Sequence, residues 1–284
     1  MRICWDDIRI THVFTLQLTH SNLIGVLGGL YPLLKPHLGY PAGQKDICLS
    51  YLPLAHVLEF AVECYCIFAG ICIGYGGVRT LVDTNMRNCS GDLKALRPTI
   101  MAGVPAVWES IRKAVLGKLE SASFAARSIF QAACKLKWLA ISWGYHGPTP
   151  MDFVFNKIKD TTGGRLRLML SGGAPIANET HQFMTTTVAT MVIGYGLTET
   201  SGMCALMLPE SFGLGRVGEL VTCGEIMLVD VPDAGYKHSN RPNPQGEIWT
   251  RGTSVTSGYF KEEAQTAEAF TKDGWFKTGD IGRI

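Results

Sequence analysis

The sequence lacks a strong charge imbalance, a Cys-x-x-Cys pair and an apolar run of membrane-spanning length, and each lack removes a class of function. Its 26 Lys and Arg stand against 24 Asp and Glu, a formal charge of +2, so no basic field calls for a nucleic-acid partner. Nine cysteines form an odd set without Cys-x-x-Cys spacing, which reads as reduced, buried thiols in a cytoplasmic compartment and not as a disulfide framework or zinc site. The nearest approach to a membrane span, 64–78, has 15 uncharged residues and includes Gly70, Gly74, Gly76 and Gly77. A bilayer needs roughly 18, so this stretch is read as a buried helix running into a buried strand. No Gly-x-Gly-x-x-Gly joins a strand to a helix and no Gly-x-Ser-x-Gly elbow occurs, which sets aside nicotinamide-dependent dehydrogenases and serine hydrolases. No secretory leader is visible at the N-terminus. With 18% charged and 46% hydrophobic residues, disorder and coiled-coil architectures are excluded as well.

What is present, over 284 residues, suits about two domains. Thr19 or Ser21 can cap a helix carrying Leu23, Val26, Leu27, Leu30 and Leu34 before Pro36 stops it. Pro105 opens a second, with Val107, Ile111, Val115 and Leu119 on one face, and a third runs through Ile129, Ala133, Leu136, Ala140 and Trp143. Short unalternating apolar runs at 47–52, 71–75, 80–82, 99–102, 166–171 and 191–195 predict strands buried on both faces, hence parallel strands with helical crossovers. The fold class expected is α/β with mostly parallel sheets, followed after about residue 203 by a smaller β-rich subdomain with strands at 225–231 and 247–251. The expected division is 1–17, 18–204 and 205–284. The chain stops soon after Asp273-Gly274-Trp275-Phe276 announces a new segment, so a fragment is expected.

Four segments carry candidate chemistry. In Gly194-Tyr195-Gly196-Leu197-Thr198-Glu199-Thr200 a buried strand runs into a crevice position: the glycines admit a planar ligand, Tyr195 offers a stacking face, Thr198 reaches a phosphate oxygen and Glu199 is a hard oxygen ligand for Mg²⁺. The plain alternative is a strand-end turn with a surface Glu. Ser171-Gly172-Gly173-Ala174-Pro175 exposes backbone N–H groups suited to a base or phosphate, although such turns are also common for steric reasons. His56, in Tyr51-Leu52-Pro53-Leu54-Ala55-His56, stands where a strand gives way to a helix; a lone His among apolar neighbours is more often a satisfied core residue. Asp280, after Gly279, is placed in a turn where it would accept ribose hydroxyls or simply close an Asx-turn.

Taken together and in chain order, Tyr51-Leu52-Pro53-Leu54-Ala55-His56, Ser171-Gly172-Gly173-Ala174-Pro175, Tyr195-Gly196-Leu197-Thr198-Glu199-Thr200 and Trp275-Phe276-Lys277-Thr278-Gly279-Asp280 resemble the AMP-forming acyl-adenylating enzymes. The text between them, including Gly103-Val104-Pro105 and Gly246-Glu247-Ile248-Trp249, is similar to eukaryotic, notably fungal, long-chain fatty acid:CoA ligases from about residue 18 onward. That resemblance implies fatty acid, ATP and CoA as substrates with Mg²⁺ as cofactor. It further implies Tyr195 on adenine, Gly172, Gly173, Ala174 and Pro175 along base and adenylate, Thr198 at the phosphate, Glu199 on Mg²⁺, Asp280 on the ribose, His56 near the activated carboxylate, and Val104 and Phe60 along the acyl channel. A cytoplasmic location with peripheral contact at endoplasmic reticulum, peroxisome or lipid-droplet membranes goes with that family.

The sequence departs from the family in two ways. Where a glycine-rich phosphate loop is expected, Ile10-Thr11-His12-Val13-Phe14-Thr15-Leu16-Gln17 has no glycine and cannot form a nest of N–H donors, and the family's small C-terminal domain with its lysine has no counterpart. The expectation is therefore a chain that by itself forms acyl-CoA very slowly or not at all. Its competitors are a non-catalytic remnant that still binds adenylate or acyl chain, and a ligase for another carboxylic acid.

Overall fold

The computed structural model describes residues 2–4, 16–38, 46–83 and 86–284. The chain forms two compact units, one of Leu38–Val192 and one assembled from Met1–His37 and Ile193–Ile284. They are called here the central and the composite unit.

In chain order the composite unit begins with β1 (Arg2–Cys4) and α1 (His20–Leu34). Thr19 caps α1, its hydroxyl accepting from the Asn22 N–H (3.2 Å) while the Asn22 side chain accepts from the Thr19 N–H (3.0 Å), so two orphan donors are satisfied reciprocally. Of the stretch 10–17, only Leu16 and Gln17 are among the described residues; the rest of the expected loop departure lies outside them.

The central unit contains β2 (Ile47–Ser50), α2 (Val57–Ala69), β3 (Cys72–Tyr75), α3 (Asp92–Leu96), β4 (Ile100–Gly103), α4 (Pro105–Glu120), α5 (Phe124–Ser142), α6 (Asp152–Thr161), β5 (Leu168–Ser171) and α7 (Asn178–Thr187). Its strands run parallel in the order β3-β2-β4-β5. The unalternating apolar runs read from the sequence are buried as expected in β2 and β4, where Cys48, Leu49, Met101 and Ala102 are core residues.

Two expectations are corrected. The run 80–82 is a turn and not a strand: the Thr80 and Leu81 carbonyls accept the Asp92 and Leu93 N–H groups (2.9 and 3.2 Å), so this backbone finishes the start of α3 instead of joining a ladder. The strand at β3 is not buried. It occupies the edge of the sheet in the order above, and Tyr75 is 72% exposed. The thiols likewise divide, with Cys48, Cys66 and Cys204 buried and Cys72 and Cys89 exposed. No helix among the described residues is long and apolar enough to cross a membrane.

The chain continues through β6 (Thr190–Tyr195), which passes from the central into the composite unit at 192–193. β7 (Ala205–Leu206), β8 (Glu219–Leu220), β9 (Gly224–Val229), β10 (Gln245–Gly252), α8 (Glu263–Ala269) and β11 (Phe276–Arg283) follow. β7 pairs antiparallel with the end of β6 and with β8, and a separate antiparallel sheet has the order β1-β11-β10-β9. The β-rich texture predicted after about residue 203 is thus present. α1 packs within this same unit: the Asn22 amide donates to the Thr253 and Val255 carbonyls (3.0 and 2.8 Å) and the Thr222 hydroxyl to Gly29 O (3.1 Å). Gly29 is needed for that approach, since a Cβ there would lie 2.7 Å from the Cys223 side chain.

One polar junction in the central unit ties α5 to α6. Lys137, buried on α5, donates to Asp152 Oδ2 (3.0 Å) and Gly147 O (2.8 Å), while Lys159 and the Thr149 N–H also reach Asp152. Burial works to raise the Asp152 pKa, but Lys159, Thr149 and Lys137 outweigh it and hold the carboxyl well below the usual range. Asp152→Ala would leave Lys137 without a counter-charge and is expected to cost about 3 kcal/mol at pH 7, read from the urea midpoint. Because the folded pKa is depressed, the advantage of the native residue is present above the ordinary carboxylate pKa and fades as pH falls through the depressed value. A midpoint equal to the parent's at pH 7 would contradict this.

Candidate functional site

Of the predicted residues of the central unit, His56, Val104 and Gly173 come together where its parallel strands end. His56 N-caps α2: its Nδ1 accepts from the Leu58 N–H (3.2 Å) and its own N–H donates to Pro53 O (2.9 Å). Nδ1 being an acceptor, the imidazole proton is assigned to Nε2. That nitrogen faces Gly173, where a Cβ would lie 3.9 Å from His56 Nε2 and 3.8 Å from Val104 Cγ1. Gly173 has φ +78°, the left-handed region that favours glycine, and the Gly172 N–H is spent on Gly103 O (3.2 Å). Gly173, Ala174, Pro175 and His56 are exposed, Gly172 is buried and Phe60 is half-buried. The result is an open turn bearing an N–H donor, an aliphatic wall and little side-chain obstruction.

The composite unit gathers the other predicted residues. Tyr195 is 1% exposed, in a cluster with Cys204, Ala205, Val217 and Ile248, so its ring is a core group and the exposed stacking face read from the sequence is absent. Its hydroxyl donates to Asp280 Oδ2 (2.7 Å). Burial, then the neighbouring Asp280 charge, raises the Tyr195 pKa, so the phenol remains a donor. Asp280 does not sit in a turn. It lies within β11, where Gly279 has φ +74° and the register against β10 shifts between Glu247 and Trp249. That irregularity re-aims the strand, the Asp280 N–H donating to the Thr278 hydroxyl (3.1 Å). Burial raises the Asp280 pKa and the Tyr195 hydroxyl partly offsets this.

Thr198 and Glu199 open a tight turn, Thr198–Thr200, after β6, with Thr198 exposed and Glu199 half-buried. Tyr259 donates to Glu199 Oε1 (2.8 Å), and the Thr256 N–H to the Glu199 carbonyl (2.8 Å). Gly196 is required by internal packing, since a Cβ there would come within 2.5 Å of the Gly202 backbone. Sequence reasoning missed Tyr259, because a hydroxyl 60 residues from its carboxylate leaves no local spacing to read.

No group of three His, Cys, Asp or Glu able to hold a metal occurs among the described residues. The donor set at Glu199 nevertheless fits Mg²⁺, which is commonly held by one or two carboxylates together with substrate phosphates and water. A cavity of about 390 Å³ lies in the central unit among α4, α5 and α7, lined by Leu116, Cys134, Trp138, Leu139 and Phe183 among others, and none of the predicted site residues contributes to it.

Two outcomes follow from this geometry. Tyr195→Phe leaves the half-buried Asp280 without its donor and is expected to cost about 1.5–3 kcal/mol at pH 7, measured by denaturant unfolding. Burial raises the folded Asp280 pKa, so stability falls as pH rises through the window above the ordinary carboxylate value; because the Tyr195 hydroxyl favours the charged form, the cost of its removal should shrink as pH falls and Asp280 takes up its proton, and a pH-independent cost would contradict the assignment. Gly173→Ala has ordinary van der Waals room but an unfavourable φ, so it should destabilise by about 1 kcal/mol while its methyl narrows the space before His56. Stability equal to the parent's would argue against the left-handed turn.

A profile of the family described as AMP-binding enzyme matches residues 16–260. The chain is 44% identical over 270 residues to long-chain-fatty-acid–CoA ligase 1 of Schizosaccharomyces pombe and 42% identical over 267 residues to long-chain-fatty-acid–CoA ligase 1 of Saccharomyces cerevisiae. These alignments cover 94% and 93% of this chain, which spans 39% and 37% of those relatives. Among solved structures, the A domain of a carboxylic acid reductase from Segniliparus rugosus, in complex with AMP and a co-purified carboxylic acid, matches with a TM-score of 0.65 at 22% identity over 95% of this chain and 38% of its own. MatB from Rhodopseudomonas palustris gives 0.65 at 23% over 98% and 44%; these two speak to the fold. With the profile covering most of the sequence, the chain belongs to the AMP-binding enzyme family.

Proposed function

We propose that this chain is the part of a long-chain fatty acid:CoA ligase that binds the adenylate. The observation that carries the reading is Asp280, a half-buried carboxylate with one oxygen engaged by Tyr195, in a chain matched over 16–260 by the AMP-binding profile. A carboxylate fixed at one oxygen keeps its other acceptor positions for a diol, the recognition an acidic residue gives a ribose. The similarity to the two yeast ligases supports a fatty acid as the acid and CoA as the thiol.

The reaction has two displacements. The fatty carboxylate oxygen attacks the α-phosphorus of ATP and the bond to pyrophosphate breaks; the CoA thiolate then attacks the acyl carbonyl, and AMP leaves with the oxygen it shared. Both steps concentrate charge that fixed donors must meet. His56 Nε2–H is the donor for the acyl carboxylate, Val104 and Phe60 give the first apolar surface for its chain, Thr198 donates to a phosphate oxygen, and Asp280 holds the ribose. Tyr195 acts through Asp280. Glu199 would hold Mg²⁺, which when bound neutralises phosphate charge as a Lewis acid.

Isothermal titration of the chain with a non-hydrolysable palmitoyl-adenylate analogue is expected to give saturable heat, and Asp280→Ala to weaken binding by about tenfold or more, the loss of a charge-assisted hydrogen bond. A chain that is folded by circular dichroism yet gives no heat would overturn the adenylate assignment. A shorter or aromatic acyl-adenylate binding more tightly than the palmitoyl analogue would overturn the long-chain one.

A further inference from the structure

Behind His56 lies a buried carboxyl that the proposed chemistry leaves unused. Glu59, three residues further on in the first turn of α2, is 1% exposed. Its Oε1 accepts from the Tyr51 N–H (3.0 Å) and lies 2.5 Å from the Ser50 hydroxyl. The same hydroxyl contacts Glu63 Oε1, and Glu63 Oε2 accepts from the Tyr75 hydroxyl (3.2 Å). Glu59 Oε2 is buried without a partner.

Ser50 has one hydroxyl proton and two carboxyl neighbours. It donates to one of them, and its contact with the other is favourable only if that carboxyl brings a proton of its own. Each carboxyl has a further donor, the Tyr51 N–H for Glu59 and the Tyr75 hydroxyl for Glu63, but Glu63 is only half-buried whereas Glu59 is almost fully buried and would carry its charge out of water, the costlier choice. The proton therefore belongs on Glu59, and the chain runs from Glu59 O–H to Ser50 Oγ, and from Ser50 O–H to the Glu63 carboxylate. Burial, the first influence on the Glu59 pKa, acts in the same direction, as does the Glu63 charge, while the Ser50 hydroxyl and the Tyr51 and Leu52 backbone N–H groups oppose it, and the balance is upward. The other titratable groups bearing on this cluster are Cys48, Tyr51, Cys64 and Tyr75, all shifted upward in its company.

We infer that Glu59, in its neutral form, is a positioning residue for His56: by binding the end of β2 to the first turn of α2 it fixes the loop between them and so holds the imidazole in the Nε2–H form facing Gly173. The significance of His56 for acyl activation rests on the ligase reading; its tautomer does not. The two can therefore fail separately.

The experiment is a long-range ¹H–¹⁵N spectrum of the whole chain with labelled histidine, at about pH 8, above the usual imidazole range. In the parent and in Glu59→Gln, His56 should show well-separated ring nitrogens of a single Nε2–H tautomer. In Glu59→Ala that separation should collapse toward an average, while His181, buried in the same unit with its Nε2 at Met191 O (2.8 Å), keeps its parent signals as proof that the unit is folded. Should Glu59→Ala not fold, Glu59→Asp, which draws the carboxyl back by one methylene, takes its place with the same expectation. Unchanged His56 signals beside unchanged His181 signals would overturn the positioning role, and equal damage from Glu59→Gln would overturn the neutral form. Infrared difference spectra supply a second reading: a protonated-carboxyl band at pH 7 that disappears in Glu59→Gln supports the neutral form, and its absence from the parent refutes it.

Discussion

Parallel pairing is the constraint on which the central unit depends. With β2, β4 and β5 side by side and all pointing the same way, every turn from strand to helix emerges at one edge of the sheet, the edge where ligands gather in such folds. His56, Val104 and Gly173 come from three such turns, separated by some fifty to seventy residues of sequence each. A Cβ at Gly173 would lie within van der Waals reach of both His56 and Val104, because of strand direction and not because of local motif. The small residues at 103, 172 and 173 follow from the same geometry. A Cβ at Gly103 would lie 2.6 Å from the Trp108 ring, so one glycine serves packing and another, Gly173, serves access.

The composite unit uses a different device. Its two acidic candidates are each held by a tyrosine hydroxyl from a distant element, Asp280 by Tyr195 and Glu199 by Tyr259. A phenol engages one carboxylate oxygen with a directional bond and leaves the rest of the carboxylate's acceptor capacity for a ligand. The Tyr195 and Tyr259 pKa values are pushed up by burial and by those carboxylates, so neither hydroxyl becomes a competing anion. Aromatic bulk and a polar tip are thereby divided between core and site.

Much of this was legible before any coordinate. Capping chemistry announced α1 at Thr19 and α4 at Pro105, and the apolar runs at 47–52, 99–102 and 166–171 announced three of the central strands, because burial on both faces leaves unbroken hydrophobic text. What stayed hidden had physical reasons. The run 80–82 has strand-like residues, yet its carbonyls are captured by the start of α3. Tyr195 reads as an exposed ring after a glycine, but whether a ring faces core or crevice depends on partners such as Val217 and Ile248, which no window around residue 195 contains. Gly279 before Asp280 reads as a turn, but the glycine marks a bulge within β11 instead. Helices α6 and α7 are ten residues each, and their apolar stripes are too short to declare a period in the sequence.

The route of the backbone through the two units bears on how the molecule reaches this state. Helix α1 is made early, yet Asn22 finds its acceptors 231 and 233 residues later, at Thr253 and Val255. The whole central unit is an insertion between the two halves of the composite one. On a ribosome, the inserted parallel sheet emerges complete while α1 is still waiting for its partners, with the apolar side chains of Val26 and Leu30 uncovered. High contact order of this kind slows assembly and lengthens the exposure of sticky surface. Nascent chains of this fold should therefore lean on chaperones until the segment carrying Thr253 and Val255 has been synthesised.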